Sequence, residues 1–121
     1  MLLAPLVAAA VLGGSPSANL TVTIWPLGQS RHSHLWTLRC DPAGGTLPRA
    51  VPACRRLSAL AGDLFVPTPP DTVCTQIYGG PQVARVRGSF RGRRILAIFT
   101  RRDGCAISRW NRVAFLFPVR L

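Results

Sequence analysis

Residues 74–81 read CTQIYGGP, and this stretch separates two different parts of the chain. It follows the proline-broken run 66–70 and leads into an alternating strand pattern that begins at Val83. The prolines and glycines around it cannot continue a helix or a sheet. Cys74, at its start, can tie the peptide down through a disulfide. We therefore predict an extended, exposed loop, which suits presentation to another protein better than chemistry of its own.

Five other segments carry the apolar patterns of β-strands. They are residues 20–25, 35–40, 83–87, 93–100 and 113–117. The first two alternate apolar and polar residues and predict a half-buried antiparallel pair. The third and fourth are joined by a glycine-containing connection and predict a hairpin. The segment that precedes the loop, residues 50–61, has apolar residues at helical spacing and predicts an amphipathic helix with Cys54 on its inner side.

Five strands with one or two helices predict an α+β domain in which the helices cover one face of the sheet. Residues 101–104 are predicted as a turn. The length of 121 residues suits one domain, and the apolar fraction of 48% allows a modest core. The first 18 residues are apolar and then small, which is typical of a secretory signal peptide and too short to span a bilayer. We predict export, with a mature domain of residues 19–121 that is extracellular and not bound to a membrane.

The chain is strongly basic, with fifteen arginines against four aspartates and a net charge of +11. Such a charge suggests nucleic acid or a membrane surface as a partner. The arginines are nevertheless scattered from Arg31 to Arg120 and do not alternate with aromatic residues. This favours a solvated surface and predicts no nucleic-acid partner. The remaining alternative is a basic binding module that holds an anionic polymer on the hairpin arginines, Arg85, Arg87, Arg91, Arg93 and Arg94.

The four cysteines, Cys40, Cys54, Cys74 and Cys105, are too widely spaced for a zinc ribbon. In an exported chain they predict two disulfides, for which three pairings are possible. Pairing of sequence neighbours is favoured, because it would join the helix to the second strand and the loop to the turn after the fourth. Each bond would contribute roughly 3–4 kcal/mol on the chain-entropy model.

Catalytic and metal-binding chemistry is poorly supported. The candidate side chains are two histidines, two serines and two aspartates: His32, His34, Ser30, Ser33, Asp41 and Asp63. Two imidazoles alone do not make a metal site, and no glycine-flanked turn presents a serine as a nucleophile. The sequence therefore predicts that the protein is not an enzyme and needs no metal or cofactor.

A series of different short motifs lies in order along nearly the whole mature chain. They are residues 20–23, 38–42, 44–46, Pro48, 53–54, Leu57, 62–64, 74–75, Tyr78, Val86, Gly88, Phe90, Gly92, Phe99, 104–105 and 113–117. Together they resemble the Streptomyces subtilisin inhibitor family of secreted serine protease inhibitors. The resemblance implies a five-stranded antiparallel sheet with two helices, the disulfides Cys40–Cys54 and Cys74–Cys105, and a homodimer.

The resemblance also implies that the protein inserts its loop into the active site of a subtilisin-like serine protease. The scissile bond would lie between Gln76 and Ile77, with Gln76 in the main specificity pocket and Thr75 in the adjoining one. Ile77 and Tyr78 would follow on the leaving side, which packing of Tyr78 would restrain. Residues 79–82 read GGPQ, where the family usually has Asp-Pro-Val, so the glycines are expected to loosen this side.

Overall fold

The computed structural model describes residues 16–29, 31–60 and 63–119, so most of the predicted signal peptide lies outside it. The elements in chain order are β1 (Ala18–Trp25), β2 (His34–Cys40), α1 (Ala50–Ala59), β3 (Val83–Phe90), β4 (Arg93–Thr100), α2 (Gly104–Arg112) and a 3-10 turn (Ala114–Leu116). Within these ranges, every helix is too short or too polar to cross a membrane.

The described strands form an antiparallel sheet in the order β2-β1-β3-β4, which confirms the predicted first pair and the hairpin. Their side chains alternate between the two faces, as the strand period requires. Leu20 lies opposite Leu38, and Val22 lies opposite Val86; all four are fully buried. One face of the sheet therefore forms the floor of the core, and the other face is left for arginines, threonines and a few exposed apolar residues.

Both helices pack on the buried face, as predicted. The disulfide Cys40–Cys54 joins α1 to β2. On α2, the buried ring of Trp110 has its centroid 4.7 Å from that of Phe117. Phe117 in turn lies 5.6 Å, centroid to centroid, from Phe99 of β4. The aromatic cluster thus fixes α2 beside the end of β4, where the exposed loop passes.

The predicted fifth strand is wrong, because residues 113–117 include a 3-10 turn, Ala114–Leu116, and the described part of the sheet has four strands. Val113, Leu116 and Phe117 are the buried members of this segment. Their spacing of three and four residues is helical rather than alternating. A short apolar run could not distinguish these two periods. The turn predicted at residues 101–104 overlaps α2, which begins at Gly104 and whose position was not predicted from the sequence.

Candidate functional site

The segment between α1 and β3 contains the predicted loop. Residues 72–80 have no regular secondary structure. Ile77 is 61% exposed and Tyr78 is 66% exposed, although large apolar side chains normally lie inside a protein. Gln76 is also exposed, and its side-chain amide lies 3.4 Å from the main-chain oxygen of Cys74. The three residues around the predicted scissile bond therefore project into solvent together.

The amino-terminal side of this peptide is held covalently. The disulfide Cys74–Cys105 confirms the predicted pairing and ties the loop to the first turn of α2. The next residue is anchored as well, because the Gly104 N–H donates to the main-chain oxygen of Thr75 at 2.9 Å. A Cβ at position 104 would clash with the Thr75 hydroxyl, so glycine leaves room there for the Thr75 side chain.

The carboxyl-terminal side is held without a covalent bond. The Gly79 N–H donates to the main-chain oxygen of Arg101 at 2.7 Å, and the Gly79 oxygen accepts from Arg101 Nε at 3.4 Å. A Cβ at position 79 would lie 2.9 Å from Ile107 Cδ1, which is too close. Gly79 is therefore restrained rather than loosened. The exposed ring of Tyr78 does not supply the packing that was expected there.

Helix α2 is the platform for both sides of the loop. It begins at an N-cap, Asp103, whose carboxylate accepts the Ala106 N–H at 2.8 Å. Its first turn carries Gly104 and Cys105, and Ile107 contacts Gly79 one turn later. Asp103 as a cap, followed by apolar residues at helical spacing, was the sequence signal that could have identified this helix.

Arg109 of α2 fixes the segment that enters the loop. Its guanidinium donates to the main-chain oxygens of Phe65 and Val66, at 3.2 and 3.0 Å, and to that of Ile98. It also lies 4.1 Å from the centroid of the Phe99 ring. Burial lowers the pKa of Arg109 through desolvation. The loop is therefore tied to α2 and to β4 before it becomes exposed.

The alternative catalytic residues are not brought together. His34 begins β2 and Asp41 follows its last residue, so the two lie roughly 20 Å apart along an extended strand. The Asp63 carboxylate accepts the Phe65 N–H at 3.3 Å. His32 and Ser33 are exposed ahead of β2, and Ser30 lies outside the described residues.

One group of potential metal ligands occurs among the described residues: Cys74, Asp103 and Cys105, within 4.8 Å of one another. The two sulfurs are bonded to each other, and the carboxylate caps α2. The donor set is therefore that of a disulfide beside a helix cap. It does not suit a metal ion, because cysteine binds metals as a thiolate and these two sulfurs are bonded to each other.

The arginines of the hairpin do not all lie on one surface. By strand register, Arg85 and Arg87 share the outer sheet face with Arg94 and with Arg39 of β2. Arg91 instead folds over the Phe90 ring and donates to main-chain oxygens of α1 and the residue after it. Only part of the predicted arginine set thus forms one surface.

These features define a small disulfide-bonded domain with a restrained, exposed peptide. The chain belongs to the subtilisin inhibitor-like family, whose model matches residues 16–100. The predicted resemblance is therefore confirmed. The family consists of inhibitors and not of enzymes, in agreement with the prediction that the protein has no catalytic activity.

The chain is similar to one known inhibitor in sequence and to one solved structure in fold. A protease inhibitor of Streptomyces netropsis, SIL-V1/SIL-V4, is 38% identical over 84 residues, which cover 67% of this chain and 76% of that protein. The crystal structure of Streptomyces caespitosus sermetstatin, in complex with Bacillus licheniformis subtilisin, superposes with a TM-score of 0.54. The alignment covers 84% of this chain and 97% of sermetstatin at 23% identity, and at that identity it shows a common fold.

Proposed function

We propose that the chain is a secreted inhibitor of subtilisin-like serine proteases that inserts residues 74–78 into the active site, with Gln76–Ile77 as the scissile bond. The main observation in support is the pair of backbone anchors at Thr75 and Gly79, between which three side chains are exposed. Sermetstatin, which has a similar fold, has been crystallised in complex with a subtilisin, and that complex is consistent with this function.

The physical basis of inhibition is pre-organisation. A loop that is already extended and anchored loses little conformational entropy when it docks, so more of the contact energy appears as affinity. If the protease cuts the Gln76–Ile77 bond, the disulfide retains the new carboxyl end and the Gly79 anchor retains the new amino end. Religation can then compete with release, and a peptide that resembles a substrate becomes a slowly processed ligand.

Gln76 determines the class of protease in this proposal. Trypsin-like enzymes carry a carboxylate in the main specificity pocket, which favours a cation over a neutral amide. A broad apolar pocket of the subtilisin type has no such requirement. We therefore expect inhibition of subtilisin and weak or no inhibition of trypsin.

The direct test is incubation with subtilisin, followed by measurement of residual protease activity and by mass spectrometry of the inhibitor. We expect inhibition at micromolar inhibitor, together with a slowly formed species that has gained one water at Gln76–Ile77. Subtilisin that stays fully active in excess inhibitor would contradict the proposal, and so would cleavage at another bond alone.

The Gln76→Lys variant tests the pocket assignment. We expect it to gain inhibition of trypsin, because the ammonium group can pair with the pocket carboxylate, while its thermal midpoint stays unchanged at this exposed site. Gln29→Lys is the matched control, because it makes the same change at an exposed position outside residues 74–78 and should not gain trypsin inhibition. Equal gains in both variants would show that general charge, rather than the pocket, attracts trypsin.

Export and dimerisation are also proposals, supported by membership of the family. The outer sheet face exposes Leu35 by 57%, Leu96 by 71% and Ile98 by 43%, which would suit contact with a second copy. Arg85 and Arg87 lie on the same face, so a dimer through it would bring like charges together. Sedimentation at low and high ionic strength would measure the mass, and we expect dimerisation to strengthen as salt screens the arginines.

A second candidate function is binding of an anionic polymer on the same face. The observation that favours it is a set of four arginines on this face, on strands that contain no aspartate or glutamate: Arg39, Arg85, Arg87 and Arg94. Binding of polyphosphate should weaken steeply with ionic strength. We expect Arg85→Gln with Arg87→Gln to weaken it, whereas Arg55→Gln with Arg112→Gln, which removes two exposed charges elsewhere, should not. Insertion into a protease should depend little on salt, which separates the two functions.

A further inference from the structure

We propose that Arg101 is a positioning residue that holds the leaving side of the loop through Gly79 and so limits net hydrolysis of the Gln76–Ile77 bond. This inference rests on the proposed function. Two glycines, at positions 79 and 80, would by themselves leave this side of the loop flexible, and the proposal is that the Arg101 side chain restrains it.

The contact between these residues involves both polar groups of one peptide unit. The main-chain oxygen of Arg101 accepts the Gly79 N–H at 2.7 Å, and Arg101 Nε donates to the Gly79 oxygen at 3.4 Å. Any residue at position 101 can provide the first bond. Only a side chain with a donor at this distance from the backbone can provide the second, which makes the arginine itself important.

The guanidinium is held in place from the other side by α2. Its Nη1 donates to Asn111 Oδ1 at 3.2 Å, and its central carbon lies 5.7 Å from the centroid of the buried Trp110 ring. Ile107 of the same helix touches the position where a side chain of Gly79 would begin. Arg101 therefore connects the leaving side of the loop to two residues of α2, Asn111 and Trp110, and Ile107 of the same helix lies beside Gly79.

This connection matters more after cleavage than before it. Hydrolysis adds one water across the bond, giving a carboxylate on Gln76 and an amine on Ile77; religation expels that water. In the intact loop, residues 77–79 are restrained by the peptide bond as well as by Arg101. In the cut loop they are restrained only by what holds Gly79. Loss of the Arg101 side chain should therefore release the cut form more than the intact form and shift the equilibrium toward cleavage.

The test compares Arg101→Met, which keeps a long apolar stem but no donor, with Arg112→Met, which makes the same change at an exposed position of α2. The equilibrium ratio of cut to intact inhibitor is measured with a catalytic amount of subtilisin, starting once from intact inhibitor and once from cut inhibitor. We expect Arg101→Met to raise this ratio about three- to tenfold, which corresponds to the loss of one hydrogen bond. Arg112→Met should leave the ratio unchanged. Arg101→Lys, which keeps a cation but not the planar group, should lie between them.

Amide hydrogen exchange at Gly79 supplies a readout without protease, and we expect Arg101→Met to accelerate it while the thermal midpoint changes little. Equal ratios and equal exchange rates for the two methionine variants would overturn the role of Arg101 and leave the proposed function intact. If the wild-type chain neither inhibits subtilisin nor is cut at Gln76–Ile77, the proposed function fails, and exchange at Gly79 still decides whether Arg101 restrains the loop.

Discussion

The two sides of the exposed loop are held against the same helix by different kinds of bond. The side that would become the acyl group is held by the disulfide Cys74–Cys105 and by the contact of Thr75 with Gly104. The leaving side is held at Gly79 by hydrogen bonds and by close packing alone. One anchor is covalent and local, and the other depends on how well α2 and the end of β4 are packed.

This difference predicts a division of roles. A disulfide contributes about 3–4 kcal/mol and persists when the neighbouring bond is cut, whereas a hydrogen bond contributes about 1 kcal/mol. The acyl side should therefore determine whether a restrained loop exists at all. The leaving side should determine how readily a cut bond is resealed, with little effect on the stability of the domain.

The largest effect should follow removal of the covalent anchor by Cys74→Ser with Cys105→Ser. The bond closes a segment of 31 residues, so we expect the free energy of unfolding to fall by about 3–4 kcal/mol. The loop should also lose its fixed geometry and be cut to completion by subtilisin instead of inhibiting it. Residual protease activity and mass spectrometry, at a temperature where the variant is folded, measure this outcome.

The second disulfide provides the matched control. Cys40→Ser with Cys54→Ser opens a segment of 14 residues and should cost about 3 kcal/mol of stability. Because this bond joins α1 to β2, away from the loop, the variant should still inhibit when it is folded. If both pairs of substitutions abolish inhibition equally, the loop depends on overall stability and not on its own anchor.

A smaller effect is expected from Gly79→Ala on the leaving side. The added methyl group would meet Ile107 Cδ1 at 2.9 Å and Arg101 Cβ at 3.2 Å, so the loop or these side chains must shift. We expect the inhibition constant to rise roughly tenfold, corresponding to about 1–2 kcal/mol of strain. Gly92→Ala is the control: its φ of +80° disfavours a side chain, but no atom lies within 4 Å. It should lower stability and leave inhibition unchanged, and the reverse pattern would refute the leaving-side anchor.

Much of the fold could be predicted because its strongest patterns are local. The alternation in β1 and β2 gave the buried face, and the apolar spacing of residues 50–61 gave α1, which ends at Ala59. Helix α2 was not assigned, although the Asp103 cap and the helical spacing of its apolar residues are local signals. The helix is short, and its buried Trp110 packs against Phe117, so its conformation also depends on tertiary contacts.

The site was predicted less completely than the fold, for a related reason. Cys74 and the prolines marked the exposed peptide, because prolines break helices and sheets and a cysteine in an exported chain can form a disulfide. The leaving-side anchor could not be found from the sequence, because it joins Gly79 to Arg101 across 22 positions and depends on the unassigned helix. Two glycines in a loop predict freedom, and that expectation is reversed by tertiary contacts: the hydrogen bonds of Gly79 with Arg101 and the close approach of Ile107.

The smallest predicted effect concerns the helix that both anchors share. Asp103→Ala removes the cap that accepts the Ala106 N–H, and should cost about 1 kcal/mol of stability through fraying of the first turn of α2. Because Gly104 and Cys105 lie in that turn and Ile107 follows it, amide exchange should accelerate at Gly104 and at Gly79 together. Asp103→Ser keeps an oxygen that can cap the helix while losing the charge, so it should restore both rates. Acceleration at Gly104 alone would show that the two sides of the loop are held independently, and that the leaving side depends on the end of β4 more than on α2.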